Sequence, residues 1–142
     1  MGRKKSKKKN SKNSKNVSNN DMILKKIEEL KEREKEIIEN IEKISNELKE
    51  EIKKYVDQKY LKDKFSLILK EINNKSYLYY RIYVDKEMKE KERLNFSQKD
   101  LCIGSIENEQ IRQLYLKYAK IKQLREEIKH INYTINVLQS LT

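Results

Sequence analysis

Apolar residues recur at helical spacing toward both ends of the chain and at strand spacing between them. From Asp21 to Asp57 the stripe runs Ile23, Ile27, Leu30, Glu34, Ile37, Ile41, Ile44, Leu48. Its steps alternate four and three, which places one seam along a helix suited to coiled-coil pairing. Glu34 is the only polar member of that seam. Asn20 or Asp21 can cap the start, because a short side-chain oxygen accepts from free first-turn amides. The phase slips at Ile52, Tyr55 and Val56, where the helix is expected to end or bend.

A second stripe, Ile111, Leu114, Tyr118, Ile121, Leu124, Ile128, Ile131, Ile135 and Leu138, runs through Ser105–Leu141. The two successive three-residue steps from Tyr118 to Leu124 act as a stammer and overwind a coil locally. Ser105 is a candidate cap, and Glu107 and Glu109 suit the positive end of the helix dipole. Each helical segment is about 54 Å long at ~1.5 Å per residue. Arms of equal length are what a hairpin requires if each is to cover the other.

Between the arms the pattern alternates. Phe65–Ile72 and Tyr77–Val84 read as strands, separated by a turn at Asn73-Asn74-Lys75-Ser76. Asparagine tolerates positive φ in such turns, and tyrosine, isoleucine and valine favour a pleated surface. Asp85–Lys89 is expected to turn the chain, Glu92–Phe96 to form a weaker third strand, and Leu101–Ile103 to pair briefly. One face of the second strand presents Leu78, Tyr80, Ile82 and Val84 to a core, and the other presents Tyr77, Tyr79, Arg81 and Tyr83.

The pattern predicts an α+β fold, mainly α. An antiparallel coiled-coil hairpin of long helices (21–57 and 105–141) carries a two- or three-stranded antiparallel sheet at its tip (64–97). Its expected core is Ile37, Ile41, Ile44, Leu48, Leu114, Tyr118, Ile121, Ile128 and Ile131. Hairpin pairing sets Glu34 opposite Arg125–Ile128, as a Glu34–Arg125 ion pair or as a carboxylate left wet at the seam. A parallel dimer, each arm pairing with its copy, is the alternative arrangement. Two arms leave part of each stripe uncovered, so a homodimer or another protein partner is expected on the helices.

Composition narrows the function. Charged residues make up 40% of the 142 and apolar ones 36%, with no proline and two glycines, which suits long solvated helices more than a large core. No apolar run approaches the ~20 residues that cross a bilayer, and the polar start has no signal-peptide core. With Cys102 the one cysteine, no internal disulfide can form, and a cytoplasmic location is the expectation. Residues 1–20 carry Arg3, Lys4, Lys5, Lys7, Lys8, Lys9, Lys12 and Lys15 against no acid, so +8 of the net +11 lies there. That segment has too little apolar surface to offset its ordering entropy and is expected to be a disordered basic tail. Twenty-eight lysines against six arginines, with abundant isoleucine and asparagine, also fit AT-rich coding, so charge placement says more than charge magnitude.

Catalysis finds little purchase. His130 stands mid-helix and Cys102 has no second cysteine for a zinc site, so no metal or cofactor is expected. No phosphate-binding glycine loop or nucleophile elbow is present, and the glutamates fall on helix faces where pairing with lysine is ordinary. The expectation is a non-enzymatic protein. Eight cations in the tail suit DNA or RNA phosphate, and Tyr77, Tyr79 and Tyr83 flanking Arg81 can stack bases while the guanidinium meets phosphate. Packing against a neighbouring element is the plainer use of those tyrosines. Met-Gly-Arg-Lys-Lys-Ser also satisfies the loose pattern for acylation at Gly2, which would join a lipid to a polybasic patch. A coiled-coil adaptor recruiting a protein partner, or a chain with no assignable activity, are the other classes.

Tyr77-Leu-Tyr-Tyr-Arg81, then Ile103-Gly104-Ser105, then a long charged helix resembles a group of small uncharacterised bacterial proteins. Those combine a tyrosine-rich hairpin strand, an Ile-Gly ending and a following coiled-coil helix. The likeness covers about 30 residues. A similar hairpin before a helix occurs in DNA-associated proteins of mobile elements, which implies a nucleic-acid partner.

Overall fold

The computed structural model describes residues 4–62 and 65–142, with side chains from residue 19 onward. The chain is mainly helical, 61%, with one small three-stranded antiparallel sheet. Its elements are α1 (Lys4–Ile52), β1 (Ser66–Ile72), β2 (Lys75–Tyr83), α2 (Lys86–Lys91), β3 (Gln98–Ser105) and α3 (Glu109–Gln139). Two compact units divide it: residues up to Ile41 with Leu124–Thr142, and Glu42–Gln123. No described helix is long and apolar enough to cross a membrane.

The backbone of α1 is helical from Lys4, where the sequence predicts an unstructured tail up to residue 20. Nothing between Lys4 and Ile52 breaks a helix, since that stretch has no glycine or proline. Its other end comes five residues before the expected Asp57. Ile52 and Val56 are both buried, and the Tyr55 amide donates to the Ile52 carbonyl at 2.8 Å, tightening the chain into a turn.

In the unit containing the outer parts of α1 and α3, seam residues are the sheltered ones. Ile27 and Ile37 are buried, and Ile23, Leu30, Glu34 and Ile41 half-buried, while most positions between them are exposed. On α3, Leu124, Ile131 and Ile135 are buried. An ion pair between the two helices of this unit joins Arg33 Nη2 to Glu127 Oε1 at 2.8 Å. Of the two alternatives for Glu34, the ion pair with Arg125 is not formed among the described residues, and Glu34 sits half-buried on the seam. Arg33, one position outside the seam, reaches the partner carboxylate at the rim instead, where both ends stay solvated.

The second unit is built around β2, the central strand of the order β1-β2-β3. β1 and β2 join through Asn73 and Asn74, with φ of 52° and 66°. Two left-handed residues between paired Ile72 and Lys75 make the two-residue hairpin whose twist matches the strands. The turn is therefore shorter than the four residues expected. Leu67, Leu78, Tyr80 and Ile82 are buried on one face, with Leu48, Ile52, Val56, Ile111, Leu114 and Ile121 in the same unit's core. Phe65 stacks on Tyr80 at 5.5 Å between centroids and lies 6.2 Å from Tyr118. The Tyr80 hydroxyl donates to the Tyr60 carbonyl at 3.0 Å and accepts from the Lys62 amide at 3.2 Å, so the buried phenol is satisfied.

The third strand departs most from expectation. Residues 86–91 form α2, capped by Asp85 Oδ1 accepting from the Met88 amide at 2.7 Å. It closes in a Schellman arrangement, Leu94 N–H to Lys89 carbonyl and Arg93 N–H to Glu90 carbonyl, with Arg93 left-handed at φ 54°. Glu92–Phe96 is consequently not a strand. The cap at Asp85 followed by a run of Lys, Glu and Met favours a helical turn there. β3 instead runs Gln98–Ser105, which absorbs Ser105 as a strand residue. Asn108 takes over the capping of α3, its Oδ1 accepting from Gln110 and Ile111 amides at 2.9 and 3.4 Å.

The β2–β3 register shifts between Leu78 and Tyr79, leaving Ile103 as the extra residue of a bulge. Gly104 follows at φ +152°, and a Cβ there would sit 2.4 Å from Ile111 Cδ1. Gly104→Ala should therefore lower unfolding free energy by about 1–3 kcal/mol. Ile111→Val removes the clashing methyl, so the double variant should lose less than the sum of the two single changes in urea melts. Strict additivity would show that the Ile111 contact contributes nothing to the requirement for glycine.

Candidate functional site

Because alternate residues of a strand point to opposite faces, burying Leu78, Tyr80 and Ile82 turns Lys75, Tyr77, Tyr79, Arg81 and Tyr83 to the other side. The register adds Ser66, Ile68, Lys70 and Ile72 from β1, and Gln98, Asp100 and Cys102 from β3. The four strand residues expected to form a face do share one. Tyr83 is 51% exposed, Cys102 is exposed, and Tyr77, Tyr79 and Arg81 are half-buried.

Arg81 is not a free cation. Its Nε donates to Asp100 Oδ1 at 2.8 Å and its Nη2 to Asp100 Oδ2 at 3.1 Å, a two-pronged grip across the strand pair. Lys70 Nζ, from β1, meets the same Oδ2 at 2.7 Å. To get there it passes over Tyr79, its ammonium 4.7 Å from the ring centroid. Tyr79 thus lies beneath a bridge linking the two outer strands. Asp100 and Lys70 carry the information that sequence reading missed. Asp100 lies just before Leu101–Ile103, the stretch expected to pair briefly, and no local pattern links it to residues nineteen or more positions away.

The electrostatics follow this geometry. Arg81 first, then Lys70, holds the Asp100 carboxyl far below the usual carboxylate range. Asp100 in return raises the Arg81 guanidinium further above its ordinary value. Desolvation chiefly raises the Tyr79 phenol, with the neighbouring Cys102 thiol adding to it. This face holds three cations, Lys70, Lys75 and Arg81, against the single carboxylate of Asp100.

Arg3 lies outside the described residues, and Lys4, Lys5, Lys7, Lys8, Lys9, Lys12 and Lys15 outside the described side chains. A notch of about 350 Å³ lies elsewhere in the second unit, lined by residues including Glu51, Tyr55, Leu114 and Lys117. There Lys117 and Glu51 form an ion pair with each other. Among the described residues no three His, Cys, Asp or Glu side chains gather as metal ligands would. No known protein family, no curated protein and no solved structure matches the chain.

A carboxylate with a depressed folded pKa stabilises the native state above its unfolded value, and that stability is lost as pH falls toward the folded value. For Asp100 the loss starts near the ordinary 3.8 and continues downward. Urea midpoints should therefore show wild type ahead of Asp100→Asn by a constant margin above about pH 5, shrinking below about pH 4. A margin that stays constant down to pH 2.5 would mean that this carboxylate does not couple folding to acid.

Proposed function

We propose that this chain is a non-enzymatic nucleic-acid-binding protein. One observation carries the reading: three tyrosines and three cations share a sheet face with one carboxylate. Aromatic rings supply stacking surface, and surplus positive charge supplies attraction for phosphate. Eight more cations within residues 1–20 add a contribution without sequence preference. The likeness of the tyrosine-rich hairpin before a helix to DNA-associated proteins of mobile elements points the same way. One histidine and one cysteine leave little for general acid–base or nucleophilic chemistry, and a cytoplasmic setting belongs to the same reading.

In this reading the helices form an antiparallel coiled-coil hairpin. The sheltered seam positions and the Arg33–Glu127 pair support it. A second role, assembly through the helices, is favoured by a separate feature. Leu24, Ile38 and Tyr133 lie off the seam and are 51%, 49% and 68% exposed. Apolar side chains outside a seam suit a further helix, as in a homodimer.

Mobility shifts across a salt series test the first role. The full chain should lose affinity steeply as salt rises, and deletion of residues 1–20 should flatten the log–log slope, by up to ~6 if all eight cations meet phosphates. Absence of any shift at low salt with either DNA or RNA would end the nucleic-acid reading. Sedimentation equilibrium tests the second. A mass of twice 17.3 kDa is expected at micromolar concentration, and a monomer at all concentrations would remove the homodimer.

A further inference from the structure

The Asp100 carboxylate is gripped by a two-pronged guanidinium and an ammonium, the same arrangement by which proteins hold a phosphate. A carboxylate with that pair of partners is an internal stand-in for a phosphodiester. The cluster remains open to exchange, since the Lys70 side chain is 41% exposed and that of Arg81 27%. Tyr79 lies directly beneath it, and Tyr77 and Tyr83 lie along the same strand face.

Resting on the nucleic-acid reading above, we propose that this face takes a single-stranded polynucleotide, with Asp100 occupying the phosphate position until the strand arrives. Lys70 and Arg81 then pass from the carboxylate to the backbone, and lifting Lys70 uncovers the Tyr79 ring for a base. Duplex fails at this site because its bases already stack on one another and offer no free π-face except at the ends. Asp100 also sets a threshold. A weak anion does not displace it, whereas a strand that adds stacking on Tyr77, Tyr79 or Tyr83 does.

Cys102 provides a reporter in the unaltered protein. It is the chain's one cysteine, exposed, and directly across the ladder from Tyr79. The experiment uses the full chain with labelled oligothymidylate, alone or annealed to its complement, read by anisotropy and by the rate of Cys102 modification with a thiol reagent. Single strand should bind at least ~10-fold tighter than duplex, and saturating single strand should slow Cys102 modification at least ~5-fold. Tyr83→Ala, an exposed position, should weaken single-strand binding ~5-fold or more. Asp100→Asn should bind at least ~3-fold more tightly with the same salt slope, because Lys70 and Arg81 reach the same phosphates without first leaving a carboxylate.

An unchanged Cys102 rate at saturation would overturn the proposal, because the strand would then bind elsewhere. Equal affinity for single strand and duplex would overturn it too, while leaving nucleic-acid binding by the chain intact. Weaker binding by Asp100→Asn would overturn the exchange of carboxylate for phosphate. Binding of neither form would remove the underlying reading itself.

Discussion

The central strand β2 imposes the constraint on which the sheet depends. It is hydrogen-bonded on both sides, so it cannot slip without breaking two ladders. Its inner residues Leu78, Tyr80 and Ile82 are each 1% exposed or less. A shift of one residue would drive Tyr79, Arg81 and Tyr83 into the core and strand a guanidinium there. Burial of three apolar residues therefore determines the position of every polar residue on the opposite face. Tyr80 strengthens the lock, because its hydroxyl ties the strand to the Tyr60 carbonyl and the Lys62 amide. A ring in any other position would leave those backbone groups to find other partners.

The open face is organised by charge more than by apolar contact. Lys70, Arg81 and Asp100 come one from each strand, so their cluster ties the whole width of the sheet. A pair alone would have joined only two strands. The same cluster removes much of the face's free positive charge, which changes what the tyrosines offer a partner. They form an aromatic surface whose neighbouring cations, Lys70 and Arg81, are held by an acid.

The helices obey a different logic. Their seam residues are sheltered while charged residues ring them, so each ion pair that crosses between helices is partly solvated and contributes modestly. Arg33 with Glu127, in one unit, and Lys117 with Glu51, in the other, serve better as statements of which helix faces meet than as sources of stability. Ile27, Ile37, Ile131 and Ile135 supply the burial.

Much of this was legible in the chain because it is local. Heptad spacing, the alternation in Tyr77–Val84 and the asparagine turn depend on neighbours within a few residues. All five fully sheltered members of the expected helical core (Ile37, Leu48, Leu114, Ile121 and Ile131) lie on the seam that spacing alone defined. Spacing misled where two local preferences competed. In Asp85–Phe96 a good cap and helix-forming residues overrode a short alternating pattern, and the third strand formed further on.

The sequence by itself determined the two seams, the central strand and which of its faces carries tyrosine. Only the tertiary structure decided that Arg81 is held by Asp100, that Lys70 spans Tyr79 to join them, and that Gly104 must stay small beside Ile111. Those contacts join residues far apart in the chain. They depend on strand order and on a one-residue bulge, and no periodicity along the chain records either.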